Sequence, residues 1–214
     1  PLSAIKEILA RYNPVDVPGL PRFSGGAVGF ISYDMVRFFE DLPDDTLDDL
    51  NVPDSQFIIT DTMLVFDNVS QTIKMVSNAF IESDDLDEVY EQTIKKIGLL
   101  EEKLKTPLKI STQTNEEVVQ PKFESNIEEE KFKGAVDKVK QYILEGDAIQ
   151  VVLSQRLSFD IKKKAFDIYR ALRTVNPSPY MYFLKFGDIE VVGSSPEILV
   201  RLEDEKVEVR PIAG

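Results

Sequence analysis

The fold is indicated most clearly by Gly146-Asp-Ala-Ile-Gln-Val-Val-Leu-Ser-Gln-Arg156, a segment in the second half of the 214-residue chain. From Ile149 to Ile161, apolar and polar residues alternate, which predicts a β-strand with one apolar face. Gln150 and Arg156 fall on the opposite, polar face. Such a face usually points to solvent, and the alternative is that it forms the wall of a binding site.

A helix is predicted immediately before this strand. Ser125-Asn-Ile-Glu128 fits a capping box, in which the serine oxygen accepts a backbone N–H and the glutamate side chain reaches back to the serine. Apolar residues from Phe132 to Ile143 then recur at helical spacing, and Gly146 is expected to end the helix.

After the strand, the pattern predicts a short helix followed by hairpins. The helix covers Ala165 to Val175. Turn residues such as Gly187-Asp188 separate the strands that follow. These predicted strands are Tyr180 to Phe186, Ile189 to Gly193, Glu197 to Leu202 and Val207 to Pro211.

The first half of the chain mixes the same two kinds of element. Helices are predicted for Ser3 to Tyr12 and for Leu86 to Leu104, whose apolar residues recur at helical spacing. The predicted strands are a glycine-opened segment from Phe23 to Asp34, then Gln56 to Phe66 and Thr72 to Phe80. Helices and hairpins in this order predict an α+β fold, with antiparallel sheets flanked by helices.

Composition excludes several functions. The net charge of −13 disfavours nucleic acid and anionic membranes as partners, because both require clustered Lys and Arg. Without Cys or His, the chain can form no disulfide, thiol nucleophile or imidazole metal site. The sequence shows neither a signal peptide nor an apolar run long enough to span a bilayer, and a cytoplasmic location is expected.

Two further patterns have ordinary structural explanations. The spacing of Gly25, Gly26 and Gly29 does not match a phosphate-binding motif, and it predicts close backbone packing or a bulge. Acidic clusters such as Asp44-Asp45 and Glu128-Glu-Glu130 are interpreted as a solvated loop and a favourable helix start. No metal ligand is predicted in the chain.

Five collinear motifs resemble those of the chorismate-utilising enzymes. In chain order they are Gly25-Gly-Ala-Val-Gly29 with Ser32-Tyr-Asp34, Gly146 to Arg156, Asn176-Pro-Ser-Pro-Tyr-Met181, Ser194-Ser-Pro-Glu197 and Arg210-Pro-Ile-Ala-Gly214. The resemblance runs from about Phe23 to the last residue. It implies a partial fold of the aminodeoxychorismate synthase-like type and a fragment that lacks an N-terminal piece and most of the C-terminal half.

Within this family, the chain is most similar to the large subunit of anthranilate synthase. Relatives that form isochorismate or salicylate have a water-activating Lys in place of Gln150, and Gln cannot take up a proton at neutral pH. Aminodeoxychorismate synthases often have a nucleophilic Lys in place of Ala213. The absence of both lysines implies free ammonia as the nucleophile, with Gln150 as the catalytic candidate near the attacked ring carbon.

The resemblance implies further sites and partners. Chorismate is expected to contact Ala213 and the backbone of Gly214, while Pro179, Tyr180 and Met181 are expected to bind tryptophan, the feedback inhibitor. The Mg²⁺ ligands of the family are expected in the missing C-terminal half, and a glutamine amidotransferase subunit is expected to supply ammonia. Removal of half of an interlocked sheet would leave unpaired edges, so either association into a homo-oligomer or rearrangement of the sheet is expected. The fragment alone is expected to be inactive.

The resemblance also gives identities to the predicted regions. Residues 1–106 correspond to part of the N-terminal region, the proline-bounded polar stretch 107–122 to a linker, and 123–214 to the first part of the chorismate-binding domain. Two alternatives stay open at this point. One is the corresponding subunit of aminodeoxychorismate synthase, in the folate pathway, and the other is a non-catalytic module that binds an amino acid.

Overall fold

The chain forms two compact units, Pro1–Thr112 and Gln113–Gly214. A computed structural model describes residues 2–82, 84–108 and 120–211. Both units combine helices with antiparallel strand pairs, which confirms the predicted α+β class. The predicted linker 107–122 falls mostly outside the described residues, and the assignment of domains stays a prediction.

Among its described residues, the first unit contains two helices, a 3₁₀ helix and two strand pairs. Its elements are α1 (Leu2–Leu9), β1 (Gly26–Ile31), the 3₁₀ helix Tyr33–Phe38, β2 (Ser55–Thr60), β3 (Thr62–Asp67), β4 (Thr72–Ser77) and α2 (Leu86–Lys105). Strand β1 pairs with β2, and β3 pairs with β4. Helix α2 packs on β4, where Val76 is buried.

The single strand predicted from Gln56 to Phe66 is wrong, because the chain changes its pairing partner at Asp61. The backbone carbonyl of Asp61 accepts hydrogen bonds from the Asn78 backbone N–H at 2.7 Å and from its side-chain Nδ2 at 3.3 Å. The Asp61 side chain accepts a hydrogen bond from Lys96 Nζ at 2.7 Å. Asp61 therefore joins β2, β3 and α2, and an apolar pattern cannot report this exchange of partners.

The predicted close packing at the first glycine motif is confirmed at Gly29. This residue pairs with Phe57 across β1 and β2. A Cβ atom at Gly29 would lie 2.8 Å from Phe57 Cα, and closer still to the carbonyl oxygen of Gln56. Only glycine lets the two backbones approach this closely.

The second unit contains two helices and three strand pairs among its described residues. Its elements are β5 (Glu124–Ser125), α3 (Glu129–Glu145), β6 (Leu157–Ser158), α4 (Ala165–Val175), β7 (Tyr180–Phe186), β8 (Ile189–Ser195), β9 (Arg201–Glu203) and β10 (Lys206–Glu208). Consecutive strands pair antiparallel, as β5–β6, β7–β8 and β9–β10. Helix α4 lies on the β7–β8 hairpin, where the Phe166 and Phe183 rings are 5.4 Å apart.

The long strand predicted from Ile149 to Ile161 is wrong, since only Leu157–Ser158 is extended and paired in the described structure. A strand requires backbone hydrogen-bond partners along its length. Just before β6, the Arg156 carbonyl accepts from the Asn126 backbone N–H at 3.1 Å, and side chains make further contacts. Asn126 Oδ1 accepts from the Arg156 backbone N–H at 2.9 Å, and Gln155 Nε2 donates to Ser125 Oγ at 2.9 Å. Gln150 is therefore an exposed residue of irregular backbone.

The predicted capping box before α3 is also wrong. Glu128 occupies the N-cap position, and its side chain makes no capping hydrogen bond. Ser125 Oγ instead accepts from the Ile127 N–H at 3.2 Å, forming a local turn. The predicted C-terminus is confirmed, because Gly146 has a left-handed φ of 85° and its N–H donates to the Ile143 carbonyl at 3.2 Å.

The last two predicted strands are shorter than expected. β9 and β10 cover three residues each, and their turn is Asp204-Glu205, where both φ angles are positive, at 48° and 62°. Both residues of such a turn favour glycine or asparagine, and Glu205 is neither. The segment from Glu197 to Val200, predicted as extended, instead belongs to the loop that follows β8.

Candidate functional site

Three of the five motifs come together in the second unit. The β7–β8 hairpin places Asn176–Met181 beside Ser194–Glu197, since Tyr180 pairs with Ser195 and Met181 with Ser194. The Arg210-Pro-Ile-Ala-Gly214 motif begins two residues after β10. The sequence alone does not show that Asn176–Met181 and Ser194–Glu197 are neighbours, because the pairing of β7 with β8 brings them together.

Side-chain hydrogen bonds connect the Asn176–Met181 motif to the Ser194–Glu197 motif. Ser194 Oγ donates to the Asn176 carbonyl at 2.8 Å, and Ser178 Oγ donates to the Ser195 carbonyl. Ser195 Oγ donates to the Glu197 carbonyl at 2.8 Å, which closes the turn that follows β8. The serines of both motifs therefore shape the backbone here, a role that their sequence pattern does not reveal.

An open cavity of about 390 Å³ lies between the Ser194–Glu197 motif and the segment around Arg210. Its lining residues are Ser195, Glu197, Ile198, Leu199, Val209 and Pro211. Among these described residues, Glu197 is the only one with an ionisable side chain. A carboxyl group in a largely apolar wall can deliver or accept a proton at a bound organic molecule, which is the chemistry expected of a catalytic acid or base.

Arg210, the first residue of the Arg210–Gly214 motif, forms an ion pair with Glu208. Its Nε donates to Glu208 Oε1, while Arg201 Nη2 donates to Glu208 Oε2. The hydrogen bond from Arg210, and then that from Arg201, lowers the pKa of Glu208 below its usual value. The same partner raises the pKa of Arg210 through its hydrogen bond and its charge. Glu208 and Arg210 therefore stay charged at neutral pH.

The residues predicted from the sequence are only partly brought together. Tyr180 and Met181 are half-buried at the start of β7, and Pro179 is exposed just before it. Gln150 is exposed and is not among the described residues that line the cavity. Ala213 and Gly214 lie outside the described residues.

Sequence reasoning missed the cavity residues. Glu197 belongs to the Ser-Pro-Glu motif, so the motif itself was the available signal, but the apolar residues after it suggested the start of a strand. Val209 lies in the stretch from Val207 to Pro211, which the sequence pattern likewise predicts as a strand. Their contribution to one cavity depends on the β9–β10 hairpin, which returns the chain to the end of β8.

A second open cavity, of about 410 Å³, lies at the beginning of α3. Ser125, Ile127, Phe132 and Gln155 contribute to its wall. Gln155 belongs to the motif that contains Gln150, and its amide is engaged with Ser125 Oγ. The segment that carries Gln150 is therefore anchored through its later residues.

The described residues do not fit a bound Mg²⁺. Within 2–82, 84–108 and 120–211, no three side chains of the Asp, Glu, His or Cys type converge closely enough to hold an ion. No step of the chemistry is therefore assigned to a metal in this part of the protein. Across the same residues, none of the helices has the length and apolar character required to cross a membrane.

Comparison with known proteins gives the class. The family model for chorismate binding enzyme matches residues 1–214, and the chain belongs to this family. The whole chain aligns with anthranilate synthase component 1 from Acetivibrio thermocellus at 42% identity and with that of Pseudomonas aeruginosa at 44%.

A solved structure gives the same result. Anthranilate synthase component I from Streptococcus pneumoniae covers 97% of the chain, with a TM-score of 0.80 and 32% identity. The chain covers 46% of that protein and 44% of each of the two curated relatives, so it spans less than half the length of the proteins it matches.

Proposed function

We propose that the complete protein is the large subunit of an anthranilate synthase, which converts chorismate and ammonia to anthranilate, pyruvate and water. The observation that carries this proposal is the cavity of about 390 Å³, where Glu197 and the segment that leads to Ala213 and Gly214 share a wall. The names and identities of the relatives support the same activity.

The reaction needs a proton donor as well as a nucleophile. Ammonia forms a C–N bond to the ring while the ring hydroxyl leaves, and protonation of that hydroxyl lets it depart as water. The enolpyruvyl C–O bond then breaks and the ring loses a proton, which yields aromatic anthranilate and pyruvate. We assign the protonation of the hydroxyl to Glu197, the ionisable side chain among the described cavity residues.

The choice of ammonia as nucleophile rests on two side chains. Gln150 is neutral and cannot deprotonate water, and Ala213 offers no amine for covalent attack. Gln150 is proposed to border the attacked carbon, and Gly214 to contact chorismate through its backbone. The exposed position of Gln150 is compatible with a site wall.

Regulation and partners belong to the same proposal. Tryptophan is proposed to bind at Pro179, Tyr180 and Met181, because proline fixes the backbone where β7 begins and leaves its polar groups in a defined direction. A glutamine amidotransferase subunit is proposed as the ammonia source, supported by the name component 1 of the relatives. A Mg²⁺ ion held by other segments, a homo-oligomer and a cytoplasmic location stay predictions.

The test is a product assay with the full-length protein. With chorismate, Mg²⁺ and ammonium, anthranilate fluorescence is expected, whereas aminodeoxychorismate as the product would assign the protein to the folate pathway. Glu197→Gln is expected to lower kcat by about 10²-fold or more, since this range is typical of a lost general acid. Glu190→Gln serves as the control, because Glu190 lies on β8, the strand just before the loop that carries Glu197, and forms a cross-strand ion pair. Equal kcat values for the two variants would contradict the assignment of Glu197.

A further inference from the structure

We propose that Glu208 is a positioning residue, which holds Arg210 and so fixes the wall formed by Val209 and Pro211 beside the substrate. The inference rests on the proposed function, because it names the group that maintains the shape of that site. Glu208 belongs to none of the five motifs. Its role is indicated by what its two carboxylate oxygens contact.

Both oxygens of Glu208 are occupied by arginines from two different segments. Arg201 lies directly opposite Glu208 in the β9–β10 pair and donates through Nη2 to Oε2. Arg210 follows Glu208 by two residues and donates through Nε to Oε1. Arg201 also lies 3.7 Å from Glu203 Oε2, so it is held from a second side.

This arrangement ties the loop after β10 to the hairpin. Val209 and Pro211, which flank Arg210, line the cavity with Glu197. A chain that leaves a short hairpin has no ladder hydrogen bonds to hold it, and a charge-assisted hydrogen bond provides a direction as well as an attraction. If Glu208 is removed, Arg210 loses its connection to Arg201. The wall residues on either side of Arg210, Val209 and Pro211, lose that connection with it.

The chain contains a matched ion pair that lacks this connection. Glu190 lies opposite Lys185 in the β7–β8 pair, and their side chains are 2.8 Å apart. The side chain of Glu190 is 30% exposed and that of Glu208 is 32% exposed. Glu190 is not among the described residues that line the cavity, so its removal reports the cost of losing one cross-strand ion pair.

The experiment measures steady-state kinetics of the full-length protein carrying Glu208→Gln or Glu190→Gln. A glutamine amide is neutral and carries an NH₂ donor in place of one carboxylate oxygen, so it cannot offer a separate charged acceptor to each arginine as Glu208 does. Glu208→Gln is expected to raise the KM for chorismate at least about tenfold, because displaced site walls weaken alignment, and to leave the KM for ammonia unchanged. Glu190→Gln is expected to keep both constants within about twofold. A KM for chorismate that is the same in the two variants would overturn the proposal.

A second variant tests the proposal if Glu208→Gln does not fold. Glu208→Asp keeps the charge but is shorter by one methylene, and it is expected to raise the KM for chorismate by a smaller factor. If its KM stays within about twofold of that of the unmodified protein, the position of the carboxylate is unimportant and the proposal is wrong.

The experiment distinguishes a wrong proposed function from a wrong positioning role. If the unmodified protein makes no anthranilate, that function is wrong, and hydrogen exchange of the Arg210 side chain then tests the positioning role by itself. The Arg210 Nε–H, which donates to Glu208, is expected to exchange at least about tenfold faster in Glu208→Gln than in Glu190→Gln. Equal exchange rates would refute the positioning role.

Discussion

Replacement of Gly29 by alanine should separate β1 from β2. The new Cβ would lie 2.8 Å from Phe57 Cα, whereas carbon atoms in contact are normally about 3.5–4.0 Å apart. The strands must therefore move apart by about 1 Å, and the overlap with the Gln56 carbonyl oxygen adds to this displacement. Residues on either side, Val28 and Phe30, are paired in the same ladder.

The expected cost follows from two contributions. Overpacking of a tight site costs about 1–3 kcal/mol, and each ladder hydrogen bond lost costs about 1 kcal/mol. The free energy of unfolding should fall by about 3 kcal/mol, which corresponds to a decrease in Tm of roughly 6–12 °C for a chain of this size.

Gly98→Ala is the matched control. No atom lies within 4 Å of a Cβ built on Gly98, which is in the interior of α2. Alanine in a helix interior is favoured over glycine by about 0.5–1 kcal/mol, so this variant should be more stable than the unmodified chain. Urea unfolding followed by circular dichroism measures both variants. A loss below about 1 kcal/mol for Gly29→Ala would refute the argument from close backbone approach.

Two further predictions concern the turn of the β9–β10 hairpin and the contact between α2 and the strands. Glu205→Gly should raise the free energy of unfolding by about 0.5–1 kcal/mol, because glycine relieves the left-handed φ of 62°, and a lower Tm would contradict this. The hydrogen bond from Lys96 lowers the pKa of Asp61 below 3.8, so the stability from this pair is present above about pH 4 and is lost as the pH falls through the folded-state pKa. Thermal unfolding between about pH 3 and pH 6 should therefore show a weaker acid destabilisation for Asp61→Asn than for the unmodified chain, and identical pH profiles would count against the pair.

Helices could be predicted from the sequence to within a few residues. The prediction for α4 agrees with the structure at both ends, and that for α2 differs by one residue at its C-terminus. Helical hydrogen bonds are local, so an apolar repeat of 3.6 residues and a terminal residue such as Gly146 carry most of the information.

Strands could be predicted less well, because their hydrogen bonds depend on distant partners. The alternating pattern from Ile149 to Ile161 indicates a strand, but among the described residues only Leu157 and Ser158 are paired in a strand ladder. The segment around Asp61 shows the complementary case, in which one apolar run divides between two partners.

The sequence by itself determined the α+β class, the order of the motifs and the family to which they belong. It also identified the two positions, Gln150 and Ala213, where the absence of lysine leads to the proposal of ammonia as nucleophile. These are properties of residue identity and local periodicity.

Only the tertiary structure decided which residues share the candidate site. The β7–β8 and β9–β10 hairpins bring Glu197, Val209 and Pro211 to one cavity, and the pairing of Arg201 with Glu208 connects that cavity to the hairpin. The physical reason is that a cavity wall forms from segments far apart in the chain, whose proximity depends on strand register and turn geometry rather than on any local pattern.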